Sequence, residues 1–188
     1  MAIGKEEPKH AENTDLKEAI AIGLDECMTA LEEALCGLTD EQFWAFPLES
    51  RHNIVTLAEH SLQCLDLYGC EVHGRPLTFE PEKRFDTWNF SPAQLRPQMT
   101  DLPTVAIERE RLAAVRAAVM DTLEQATPDD LARPNPVSWW FEEYPARIRA
   151  DAYMRTIMHT NCHVRQIWML RGVMGLTDAE GWPLQHWA

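Results

Sequence analysis

Two histidines four residues apart, His159 and His163 in RTIMHTNCHVRQIWMLR (155–171), have the type and spacing that hold a metal ion. A four-residue step at 3.6 residues per turn puts both imidazoles on one helix face, a turn apart, and Gln166 and Leu170 continue that face. Ile157, Met158, Val164, Ile167, Trp168, Met169 and Leu170 spread around most of the circumference, so little of this helix is expected to face water. Its polar stripe must then be satisfied inside the protein. A neutral histidine bonded to a carbonyl would do that too. The metal reading therefore needs a third ligand from another helix, as catalytic zinc-type sites commonly use three protein ligands and keep one position open.

His60 supplies that ligand. The stretch NIVTLAEHSLQCLDLYGC (53–70) reads as a helix whose inward stripe is Leu57, His60, Cys64 and Leu67, with Glu59, Gln63 and Asp66 on the opposite, wetter side. Packing the His60 face against the His159/His163 face converges three imidazoles in a bundle interior, where cofactor sites of such folds are built. Imidazole nitrogens suit zinc first, with nickel, iron or copper chemically allowed. Cys64, one turn from His60, and His186 near the C-terminus are the candidates to close a fourth position. The plain alternative is a helical bundle whose histidines are satisfied core residues.

Four helices must position these residues. After a lead of about a dozen residues expected to be disordered, Asn13-Thr14-Asp15 offers N-cap chemistry. Leu16, Ile20, Leu24, Cys27, Met28, Leu31, Leu35 and Leu38 then recur at helical steps, until Gly37 and Leu38-Thr39-Asp40 stop the run. Phe43, Trp44, Phe46 and Pro47 make an aromatic connector to the second helix. A third helix is expected from Pro103, capped by Thr100 or Asp101, with Ile107, Leu112, Val115, Val119 and Leu123 inward and Arg109, Arg111 and Arg116 solvated beside Glu108 and Glu110. From Pro128 to Pro145 the chain reads as irregular and aromatic, with Trp139 and Trp140. The fourth helix takes residues 147–172, ended by Gly172 and Gly175. The tail with Trp182, His186 and Trp187 is too apolar to float freely and is expected to dock, so that Trp88, Trp139, Trp140 and the tail wall the pocket.

Residues 74–102 carry four prolines and no sustained helical period, an unusually long connection for a compact domain. If the second and third helices run parallel, the chain must return the length of a helix, roughly 30 Å for about 20 residues. A long crossover does that and a tight turn cannot. The expectation is one all-α domain over residues 1–188, a four-helix bundle connected up-down-down-up.

Charge and composition narrow the function. With 30 acidic against 17 basic residues the chain carries a formal −13, which repels a phosphate backbone, and no Lys/Arg cluster offsets it. No nucleic-acid partner is expected. The charged N-terminal stretch lacks a signal peptide's apolar run, no later run is long enough to span a membrane, and five cysteines without a C-x-x-C argue against a disulfide framework. A cytoplasmic protein with reduced thiols is expected.

The runs GLTDEQFWAFP and HNIVTLAEH, then HTNCHVRQIWMLRGVMG and a closing WPLQHWA, resemble the DinB-like (YfiT-like) metal-dependent superfamily across nearly the whole chain. The resemblance implies a divalent metal on an inward histidine of the second helix and an H-x-x-x-H pair on the fourth, matched here by His60, His159 and His163. Gln166 matches the glutamine of the H-R-G-Q-type sequence that follows in the family, while Val164 and Arg165 depart from it. Similarity to thiol-dependent S-transferases and mycothiol-dependent maleylpyruvate isomerases implies a metal that binds a low-molecular-weight thiol and presents it to an electrophilic small-molecule substrate. Arg155, one turn before His159, could offset the acidic surface for such a thiol, which makes Arg155 and Gln166 the cofactor-contacting candidates. A metal-dependent hydrolase and a non-catalytic metal- or ligand-binding protein are the alternatives. Homodimers are common in the family.

Overall fold

The computed structural model describes residues 15–78, 102–136 and 147–177, together with Ala93. Within them lie four long helices, α1 Leu16–Leu35, α3 Ile54–Gly69, α4 Val105–Gln125 and α6 Arg149–Val173. Two short ones, α2 Asp40–Trp44 and α5 Pro128–Ala132, and a 3-10 turn at Glu71–His73 join them. The only β pairing among the described residues is a single bridge between Pro134 and Ile148.

Contacts between the long helices fix their directions. Lys17 at the start of α1 donates to Ala126 O past the end of α4 (3.1 Å), and Arg116 pairs with Asp25 (2.5 Å), so α1 and α4 are antiparallel. Arg171 near the end of α6 donates to Ala34 O (3.1 Å) and Cys36 O (2.8 Å), supplying the last carbonyls of α1 with a donor. Thus α1 and α6 are parallel. Arg111 pairs with Glu59 early in both helices while Thr122 meets Cys70 at their ends, so α3 and α4 are parallel. Tyr153 OH donates to Gly69 O (3.2 Å), which sets α6 antiparallel to α3. The bundle is therefore up-down-down-up. Most of the expected crossover over 74–102, the lead of about a dozen residues, the aromatic residues Trp88, Trp139 and Trp140, and the tail with Trp182, His186 and Trp187 lie outside the described residues.

Local chemistry explains most boundaries. Asp15 caps α1 by accepting from Lys17 N (2.7 Å), and Gly37, with φ of 70°, turns the chain after it. Asn53 caps α3 and also donates to Trp44 O (2.9 Å), tying the start of α3 to α2. Trp44 donates in turn to Pro103 O (2.8 Å), and Asp40 accepts from Val105 N (2.9 Å), so α2 docks on the start of α4. Two sequence expectations are corrected here. Thr104, not Thr100 or Asp101, caps the third long helix, leaving Pro103 before the cap, and the stretches 40–44 and 128–132 are helical, each opened by a reciprocal Thr capping box. Residue 69 must be small, because a Cβ there would come within 2.5 Å of the Val119 side chain.

Burial corrects the expected faces. Glu59 and Asp66 are buried, not on a wet side: Asp66 accepts from Thr78 N (2.8 Å) and Oγ1 (2.9 Å), and Glu59 meets Arg111. Glu108 is fully buried too, 3.3 Å from the same guanidinium, so Arg111 is half-buried between two carboxyls rather than solvated. Burial and the like charge of Glu59 push the Glu108 carboxyl well above the usual range, against the opposing pull of Arg111. Conversely, α6 packs against α1 on one side and α3 on the other, which leaves its outer crest open. Met154, Met158, Met169 and Val173 are 44–66% exposed there, so this helix faces water far more than its apolar spread suggested.

Candidate metal centre

His60 stands in the second turn of α3, and His159 and His163 stand a turn apart on α6. Because the two helices are antiparallel neighbours, the three side chains meet across their seam. His159 Nε2 lies 3.2 Å from His60 Nε2 and 2.8 Å from His163 Nε2. The three rings stand nearly perpendicular to one another, at 78°, 79° and 88°. Nitrogens bound at about 2.05 Å to a tetrahedral ion sit roughly 3.3 Å apart, so the Nε2 atoms are already near a coordinating spacing. They are the group among the described residues whose ligand atoms, all within 4.8 Å of one another, could hold a metal ion.

Proton bookkeeping favours a cation at their centre. Gln166 Oε1 sits 2.7 Å from His163 Nδ1, and an amide oxygen only accepts, so His163 carries its proton on Nδ1 and turns a lone pair inward at Nε2. His159 Nε2 has one in-plane position, holding either a proton or a lone pair, yet faces two other nitrogens. Neutral tautomers can serve both contacts only by sharing one proton between two lone pairs, whereas a cation accepts all three lone pairs at once. Burial holds the rings neutral as a ligand set requires: desolvation, reinforced by the neighbouring histidines, lowers His60 to about 3 and His159 to about 2, and lowers His163 as well.

Cys64 Sγ lies 3.9 Å from His60 Nε2 but outside the group of converging ligand atoms, and burial pushes its thiol well above the usual range. It packs with Tyr68, Val72 and Ala152 in a small cluster beside the main core. Arg155 stands one turn before His159 with its Nε 3.3 Å from Asp151 Oδ2, and Gln166 reaches the site through His163. His52 was not singled out from sequence. It is near enough for its charge to bear on both His60 and His163, but it precedes α3, where helical periodicity gives no signal.

Residues 24–167 match the family model of the DinB superfamily, a span that includes all three histidines and Gln166. The chain belongs to the DinB superfamily. Its fold is also that of a solved structure described as the conserved protein of locus from Enterococcus faecalis, with a TM-score of 0.66 at 17% identity, covering 85% of this chain and 97% of that one. No curated protein matches the chain. None of the described helices of this DinB superfamily member is long and apolar enough to cross a membrane.

Gln166 gives the first testable consequence. Outer-shell partners of metal-bound histidines are typically worth about 10–100-fold in affinity. Gln166→Ala should therefore weaken zinc binding by about that factor in a competition titration with a chromogenic chelator, without altering the helical circular dichroism. Unchanged affinity would mean that Gln166 does not orient His163.

Proposed function

We propose that this protein is a metal-dependent enzyme that holds one divalent cation, zinc first and nickel or iron as alternatives, on His60, His159 and His163, and uses it to activate a low-molecular-weight thiol for transfer to an electrophilic small molecule. The observation that carries the metal assignment is the meeting of three neutral Nε2 atoms across the α3–α6 seam. A divalent cation bound there would hold a coordinating thiol as its thiolate. The chain's own part is to present three uncharged ligands that leave the cation's charge undiminished. His163 is oriented by Gln166, and the buried side chains of α3 limit water on that side. No carboxylate joins the converging group among the described residues, which favours thiol activation over hydrolysis by a carboxylate base. Cys64 stands outside that group, which favours an open fourth position over a closed, non-catalytic site. Cobalt-substituted protein titrated with cysteine, glutathione, mycothiol and bacillithiol should develop a sulfur-to-cobalt charge-transfer band with at least one of them. No band with any thiol, together with a closed tetrahedral spectrum, would leave the metal-binding alternative.

The setting is the cytoplasm, in keeping with five free cysteines. The −13 charge argues against a nucleic-acid partner. A second copy of the chain is the expected protein partner, and the exposed crest of α6 is the surface that supports it. Met158→Lys, at the most exposed of these positions, should shift sedimentation from dimer to monomer with metal content unchanged. Wild-type protein that sediments as a monomer would remove the dimer.

A further inference from the structure

Half of the large apolar side chains exposed among the described residues lie on one helix: Met154, Met158, Met169 and Val173 of α6, against Leu16, Ile22, Ile107 and Ile148 over the rest of the surface. Cys162 and Arg165 are exposed between them, with Gln166 and Gly172 at the flanks, so the crest runs 154, 158, 162, 165, 169 and 173. These steps of four, four, three, four and four keep the six residues on one stripe of the helix and read the same from either end. About the point midway between His163 and Val164, Cys162 stands as far out as Arg165, Met158 as far as Met169, and Met154 as far as Val173. A stripe covered by a foreign partner needs no such symmetry, whereas a two-fold contact between copies requires one patch to fit itself.

Charge selects the direction and the occupant. Parallel pairing would set Arg165 on the same residue of the second copy. Antiparallel pairing sets it beside Cys162 and lays apolar on apolar, Met158 on Met169 and Met154 on Val173. The chain carries −13 overall, but residues 147–173 hold Arg147, Arg149, Arg155, Arg165 and Arg171 against one acid, Asp151. Contact through α6 therefore brings the arginine-rich helix of each copy up to an otherwise acidic molecule.

We infer that two copies of this chain pair through α6 as an antiparallel helix pair about a two-fold axis opposite residues 163 and 164, with Met158 of each copy on Met169 of the other. This rests on the second-copy reading above and gives that contact its register. Packed helices lie about 8–10 Å apart, and the two Cys162 positions are then offset by only about 4.5 Å along them, within reach of a two-carbon bismaleimide. The two Met158 positions are offset by about 16 Å, beyond that reach.

The test sediments the full chain and then treats it with the bismaleimide. Wild type should sediment as a dimer and give a covalent dimer. Cys162→Ser should sediment in the same way but lose the cross-link. In that serine background, Met158→Cys and Met169→Cys should each fail to cross-link when expressed singly and should give a covalent dimer when co-expressed. Cross-linking by Met158→Cys on its own would mean a parallel pair. A sedimenting dimer that neither Cys162 nor the co-expressed pair joins would mean another face. Either result overturns the register and leaves the second-copy reading standing. Wild type that sediments as a monomer overturns both, and if that monomer floats with phosphatidylglycerol vesicles, the crest belongs to a lipid surface.

Discussion

His159→Ala should abolish the response of this protein to zinc. His159 stands between the other two histidines, with both Nε2 contacts running through it. Since outer-shell changes alone cost about 10–100-fold, loss of this ligand should weaken zinc binding by more than about a hundredfold. The loss also reads out as stability. A ligand at a hundred times its Kd adds about 2.7 kcal/mol to the folded state. For a domain of this size that raises Tm by roughly 5–10 °C. Wild-type protein should show that rise on addition of zinc and His159→Ala should show none. An equal rise in both would place the zinc elsewhere.

Arg111→Ala should be among the most damaging single changes away from the histidines. It leaves Glu59 and Glu108 buried side by side without their shared guanidinium, and breaking a buried pair by removing one partner costs about 3 kcal/mol or more. The sign of its pH dependence follows from Glu108. Its folded-state pKa is raised above the ordinary value of 4.5, so the native state binds the extra proton. Stability from that proton is present below about pH 4.5 and is lost as pH rises towards the folded-state value. Removing Arg111 raises that value further, so the damage should be greater at pH 8 than at pH 5 in urea denaturation. Adding Glu108→Gln, which takes away one buried charge at constant shape, should recover at least half of the loss at pH 8. A cost below about 0.5 kcal/mol for Arg111→Ala, within the range of an ordinary surface substitution, would show that the cluster is solvated after all.

Residues with short-range signals were legible in the sequence, and residues defined by distant partners were not. The long helices announced themselves through apolar steps such as Ile20, Leu24, Cys27 and Leu31, all fully buried. The four-residue step from His159 to His163 gave one face, and His60 on its own inward stripe gave the other. The parallel course of α3 and α4 followed from the length of chain between them. The burial of Glu59 and Asp66 could not be read, since Arg111 is 52 residues from Glu59 and Thr78 lies beyond the end of α3. The boxes Thr39-x-x-Gln42 and Thr127-x-x-Asp130 did carry a helix signal, obscured by the aromatic residues and prolines around them. The open crest of α6 escaped because apolar content predicts burial only where a neighbour exists to provide it, and α6 has neighbours on two sides.

The central claim is that one divalent cation sits on His60, His159 and His163. Elemental analysis of the untagged full-length protein, purified without contact with a metal column, tests it most directly. The arrangement predicts close to one equivalent of a divalent metal per chain in wild type and almost none in the His60→Ala/His159→Ala/His163→Ala variant. Stoichiometric metal retained in that triple variant, or a wild-type protein that neither carries a divalent metal nor takes one up on dialysis, would contradict it.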